Sequence, residues 1–218
     1  MHELELWESD VEVSSEGTPA ASSRRSPADG AGNAFDGDTS TSDTLLLFAT
    51  GRADVHPNPK GHQDRLLRDF EHALHAVLQD LAIQVVRDGE GAQKLIQIDV
   101  RGAASVNAAR RIGFAIANSP LVKTAVAGED ANWGRVVMAV GKSGEKAERD
   151  KMSVAFGGVE IARDGARVEN YDEAPVTKHM KGRDVLIETD VGVGRGKATV
   201  WTCDLTHGYI RINADYRS

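Results

Sequence analysis

Apolar positions change their spacing along the chain, and the changes mark the elements. Leu66, Leu67, Phe70, Leu74, Val77, Leu78, Leu81 and Val85 recur three and four apart with charges on the other face, which predicts a long amphipathic helix. Gly89 and Gly91 end it. Ile96, Ile98 and Val100 then alternate with Gln97 and Asp99, the pattern of a strand with one wet face. A second helix, rich in small residues, is predicted at about 104–118, where Ser119-Pro120 stops it. Earlier in the chain, Leu45 to Ala49 reads as a buried strand closed by Thr50-Gly51. Beyond Trp133 short β-like runs at about 135–140, 152–156, 158–163, 184–190, 197–203 and 208–212 alternate with glycines and predict an antiparallel meander.

These elements describe an α/β chain in three parts. Residues 1–33 form a divergent segment, 34–125 an α/β portion, and 126–218 a β-rich C-terminal subdomain. Residues 14–33 are small and polar, a composition that does not repay the entropy of ordering a backbone, so disorder is expected there. The alternating run just before them reads as a strand with no certain neighbour. With 218 residues the chain can bury roughly 70% of the surface it exposes when unfolded, so it needs no covalent staple.

Charge alters this picture little. The formal net charge is −7, but residues 1–33 carry seven acids against Arg24 and Arg25, which accounts for −5 of it. The rest is close to neutral and only 5% of the chain is aromatic, so neither a basic stripe nor stacking platforms for nucleic acid are present. A single cysteine, Cys203, points to a reducing compartment, with cytoplasm the default. No apolar run approaches the length of a membrane span, and the first ten residues are acidic where a secretory signal would be basic and then apolar.

Several clusters carry candidate chemistry. Asp36-Gly37-Asp38-Thr39 permits an aspartyl phosphatase loop holding Mg²⁺, or a Ca²⁺ loop, but no strand precedes it and the Ca²⁺ pattern fails at its sixth and twelfth positions. An Asx or ST turn leading into the Leu45 strand explains it better. Glu90, between two glycines at a helix-to-strand junction, can approach a ligand closely and receive a substrate ammonium, but the residues alone favour a solvated C-cap turn. Gly192-Val-Gly194-Arg-Gly196-Lys197 lacks the rest of a phosphate loop and reads as a hairpin turn. Cys203 reads as core packing. The histidines, His72 and His75 on the polar helix face included, show no metal-ligand spacing, so no metal is expected. Lys123, Thr124, Asn132, Trp133, Gly134 and Arg135 form a polar cluster around one aromatic, suited to a substrate-facing loop or to helix caps.

In order, DGDTSTSDT with LLLFATG, then VRDGEGAQK, IANSPLVKTA, GEDANWGR and WTCDLTHGYIRINADYRS resemble the ornithine acetyltransferase (glutamate N-acetyltransferase) family of arginine biosynthesis, in its C-terminal, β-chain portion. The resemblance runs from about Asn33 to Ser218, and residues 1–32 resemble nothing in the family. It implies helices layered around paired β-sheets, with the C-terminal subdomain closing the substrate pocket. It also implies an enzyme that cleaves itself before a threonine, takes an acetyl group from N-acetylornithine onto that threonine and passes it to glutamate. Some members also use acetyl-CoA as donor, and no other cofactor is implied. By resemblance Glu90, Asn213 and Ser218 bind substrate, and Thr39, Lys123 and Asn132 are further candidates for pocket support.

The family's nucleophile lies in a segment ending Pro-Asn-Met-Ala-Thr, which does not occur in this sequence, nor do the upstream oxyanion-hole and lysine positions. No catalytic residue is therefore assigned in this chain, and alone it is expected to be inactive. An α-chain partner and a homo-oligomer of αβ units are the implied assembly. Two rival readings are a non-catalytic or truncated partner chain of such an enzyme and a Mg²⁺-dependent phosphatase using Asp36 and Asp38.

Overall fold

A computed structural model describes residues 64–215. The chain divides into two compact units, residues 1–30 with 39–85 and residues 31–38 with 86–218. Of the first unit the described part is a 3-10 turn, Arg65–Leu67, leading into helix α1 (Arg68–Arg87). Asp64 caps the turn by accepting from the Leu66 amide at 3.0 Å. The predicted helix is present, and none of its residues is buried. The Leu45 strand, the Asp36–Thr39 turn and the expected disorder of residues 14–33 lie outside the described residues.

The second unit is built on one mixed sheet. Its strands are β1 (Leu95–Ala103), β2 (Ser153–Phe156), β3 (Val159–Arg163), β4 (Ala166–Arg167), β5 (Asp184–Asp190) and β6 (Gly196–Cys203), in the spatial order β4-β3-β2-β5-β1-β6. The α/β class holds. Strand β1 is internal, next to the edge strand β6: it pairs parallel with β5 and antiparallel with β6, so the sheet runs through residues on both sides of position 125. Alternation explains its place, since Ile96, Ile98 and Val100 are buried while Gln97 and Asp99 are only partly covered. On that polar face Thr199 donates to Asp99 at 2.8 Å and Arg101 pairs with Glu188 at 2.6 Å.

Helix α2 (Val106–Ala117) realises the prediction at 104–118. Ser105 caps it, accepting from the Ala108 amide, and Ala108, Ala109, Ile112, Gly113, Ile116 and Ala117 form its buried face. Gly113 lets it lie close to β6: a Cβ there would come within 2.7 Å of Val200 Cγ2. Helix α3 (Pro120–Ala127) follows, with Ser119 as cap and Pro120 in its first turn. The Ser-Pro pair thus both ends one helix and starts another, because proline's missing N–H costs nothing in a first turn.

Three expectations beyond Trp133 are corrected. Residues 135–140 lie in helix α4 (Trp133–Lys142), because Trp133, Val136, Val137 and Val140 share a helical face and Asn132 caps the first turn. Residues 208–212 lie in helix α6 (His207–Asp215). The meander is limited to β2, β3 and β4, since β5 pairs antiparallel with β2 instead of β4 and β1 separates β5 from β6. Helix α5 (Glu173–Met180), capped by Asp172, is an addition to the predicted elements. The runs at 152–156, 158–163, 184–190 and 197–203 are strands.

The glycine-rich 192–196 segment is not a hairpin turn, since β1 lies between β5 and β6. It wraps the end of β1 instead: Val193 and Gly194 both donate to the Gly102 carbonyl, at 2.7 and 2.6 Å. A Cβ at Gly194 would stand 2.7 Å from the Ala103 carbonyl oxygen, so the loop needs its glycines for close passage.

Candidate functional site

At the junction of α1 and β1, residues 88–91 form an exposed turn closed by the Ala92 amide donating to the Gly89 carbonyl at 2.9 Å. Gly91 adopts φ +70°, and a Cβ on it would overlap the Tyr209 nitrogen at the start of α6. Only glycine allows that approach. The turn and α6 are thereby held face to face, and the Asn213 side-chain amide donates to Glu90 Oε2 at 2.8 Å across 123 sequence positions. Asn213 also donates to the Tyr209 carbonyl at 3.1 Å, which fixes its amide one helical turn from the close approach.

The segment joining β6 to α6 supplies the remaining ties. Asp204 Oδ1 accepts from the Gln93 and Lys94 amides at 2.8 and 3.0 Å, and the Asp204 amide donates to the Lys94 carbonyl at 3.1 Å. Two residues on, the Thr206 hydroxyl donates to the Gly91 carbonyl at 2.6 Å and accepts from the Gly208 amide at 3.0 Å. Asp204 is only 3% exposed, and its Oδ2 is buried without a hydrogen-bond partner. Beneath the turn Lys94, 8% exposed, donates to the Met180 carbonyl and lies 3.5 Å from Glu129. A buried lysine needs such partners, because an unpaired ammonium in a protein interior is costly.

Glu90 and Asn213 are both exposed, so the pair faces solvent at the rim of the fold. The amide holds one carboxylate oxygen, while the other accepts no hydrogen bond among the described residues. A carboxylate oriented in this way can accept a ligand's ammonium group. The structure brings Asn213 to Glu90; Ser218 and Thr39 lie outside the described residues. Lys123 is buried on α3, and the Leu205 amide donates to its carbonyl at 3.4 Å, near the β6–α6 segment. Asn132 sits elsewhere in the polar cluster: its side chain accepts from the Arg135 amide at 3.1 Å and donates to Asp130 at 2.9 Å. Arg135 in turn donates to the Leu121 carbonyl at 2.8 Å, so helix capping and anchoring describe this cluster. Cys203 is buried, as core packing requires.

Sequence reasoning missed Lys94, Asp204 and Thr206. An Asp-x-Thr-x-Gly run before a helix carries capping chemistry and hints at the last two. Nothing local marks Lys94. Among the described residues no group of three metal-ligating side chains occurs, and no helix is long and apolar enough to cross a membrane.

A protein-family model described as the ArgJ family matches residues 10–218. The chain belongs to the ArgJ family. That match takes in residues 10–32, which corrects for them the expectation that residues 1–32 resemble nothing in the family. Two ArgJ relatives, both called arginine biosynthesis bifunctional protein ArgJ, come from Gluconobacter oxydans and Zymomonas mobilis. They are 63% and 60% identical over 183 residues, which is 84% of this chain but 43% and 44% of theirs. The chain therefore spans less than half the length of these relatives. The crystal structure of an ArgJ protein from Bacillus halodurans superposes with a TM-score of 0.77 at 37% identity, covering 84% of each chain.

Proposed function

We propose that this chain provides the amino-acid-binding side of an acetyl-transfer site in arginine biosynthesis, acting in the cytoplasm. Acetyl would pass from N-acetylornithine, with acetyl-CoA as a second donor, to glutamate. Glu90, Asn213 and Ser218 bind the amino-acid substrate, with Thr39, Lys123 and Asn132 supporting the pocket and the C-terminal subdomain, residues 126–218, closing it. The hydrogen bond between Glu90 and Asn213 carries the reading, because it joins two of the three substrate residues implied by the family resemblance. The arginine-biosynthesis names of the relatives support the reaction class.

The nucleophile in this reading is a threonine freed as a new N-terminus by cleavage before it, carried on a segment outside these 218 residues, and the α-chain released by that cleavage associates into αβ units. Its hydroxyl oxygen attacks the acetyl carbonyl carbon of N-acetylornithine, and the C–N amide bond breaks. The threonine's own α-amine, with a pKa near 8, takes the hydroxyl proton and passes it to the departing ornithine amine. The glutamate amine then attacks the acetyl ester, the C–O bond breaks, and a proton returns to the threonine oxygen. Glu90 contributes by holding a substrate ammonium in place, which lowers the entropy cost of the encounter.

The test is an acetyl-transfer assay on the purified chain, alone and with a family segment that contains Pro-Asn-Met-Ala-Thr and the residues running on from that threonine. The expected result is no turnover alone, turnover with the segment, and loss of that turnover in Glu90→Gln. Turnover by the chain alone, or full activity in the Glu90→Gln complex, would overturn the reading.

A further inference from the structure

We infer that Thr206 is a positioning residue that sets the Glu90–Asn213 pair for ammonium recognition, an inference that rests on the function proposed above. Glu90 lies in an exposed turn and Asn213 on a helix with no buried residue, so core packing does not fix their separation. Ile210 and Ile212 on that helix are 59% and 43% exposed. Directional bonds must do the fixing instead.

The Thr206 hydroxyl is placed for this. It donates to the carbonyl of Gly91, the residue after Glu90, at 2.6 Å, and accepts from the amide of Gly208 at 3.0 Å. Helix capping accounts for the second bond, because an ST turn of this kind satisfies a first-turn amide. It does not account for the first, which reaches a carbonyl 115 positions away. One oxygen therefore acts as donor to the Glu90 turn and acceptor from α6, and both ends of the pair are referred to the same atom. Asp204 secures the base of the turn at Gln93 and Lys94, which leaves Thr206 as the tie nearest to Glu90. Val is close to Thr in shape but removes both bonds, whereas Ser keeps both.

The experiment is calorimetric binding to the full 218-residue chain, with N-acetylornithine and N-acetylnorvaline as the two probes. The second lacks only the side-chain ammonium. The wild type is expected to favour the ammonium-bearing ligand, and Thr206→Val to reduce that preference by about threefold to tenfold, the scale of one net hydrogen bond. Thr206→Ser is expected to restore it. A purely structural role would weaken both ligands together, because it would not act through the ammonium. Equal weakening of both, or no rescue by serine, overturns the inference. Glu90→Gln separates the two levels: if it loses the preference while Thr206→Val keeps it, only the positioning role fails. If Glu90→Gln keeps the preference, or the wild type does not bind N-acetylornithine, the proposed function fails and takes this inference with it.

Discussion

Helices α2 and α6 both lie beside the central sheet in sequence, directly after β1 and β6, yet they are held in different ways. Six residues of α2 are buried, and Gly113 brings its backbone close to Val200. No residue of α6 is buried, and its attachments include the Gly91 approach, the Thr206 hydroxyl and the Asn213 amide. Apolar burial is non-directional and spread over many atoms, so α2 has a secure position but little angular precision from any one contact. A few hydrogen bonds give the reverse: exact placement of single groups at low local stability. The fold spends its apolar surface on the core and leaves α6 to polar ties.

The largest expected effect tests the α2 side. Ile112→Ala removes a fully buried side chain and should cost about 2–5 kcal/mol in urea unfolding. A cost well under 1 kcal/mol would show that α2 is not core-anchored. Gly91→Ala should act on α6. A positive φ and a Cβ overlapping the Tyr209 nitrogen together cost about 1–3 kcal/mol. The expected sign is faster amide exchange across residues 207–215, with α2 protection retained; unchanged exchange in α6 would remove the contrast. Ser105→Ala deletes the cap of α2 and should lower stability by about 1 kcal/mol in the same urea titration. Arg87→Ala breaks the Arg87–Asp184 pair, 2.5 Å apart and largely exposed, and should shift stability by no more than about 0.5 kcal/mol.

Legibility in the sequence followed the same division. Ile96, Ile98 and Val100 announced β1 because one face of the strand is buried, and α2 was readable for the equivalent helical reason. Val136, Val137 and Val140 suggested a strand by β-propensity, but their three- and four-residue spacing around Trp133 and the Asn132 cap make a helix. Ile210 and Ile212 alternate like strand residues, yet both are exposed, so their alternation records no sheet face. The glycines at 192–196 carried turn chemistry correctly, while the strand order that makes them a wrap around β1 is a non-local property. Glu90 and Asn213 were brought to one site by family resemblance, since no local pattern encodes a contact 123 positions apart. Thr206 is an ordinary threonine until its two bonds are seen.

The place of β1 between β5 and β6 has a consequence for how the chain is made. Both of its neighbours, β5 and β6, are encoded after residue 183, whereas β1 itself ends at Ala103. A ribosome adding about 5–20 residues per second needs several seconds to reach them, during which the nascent strand keeps two unsatisfied edges and the apolar side chains of Ile96, Ile98 and Val100. Such edges invite pairing with other chains. Synthesis of this chain therefore contains a built-in waiting period, when chaperone capture competes with aggregation.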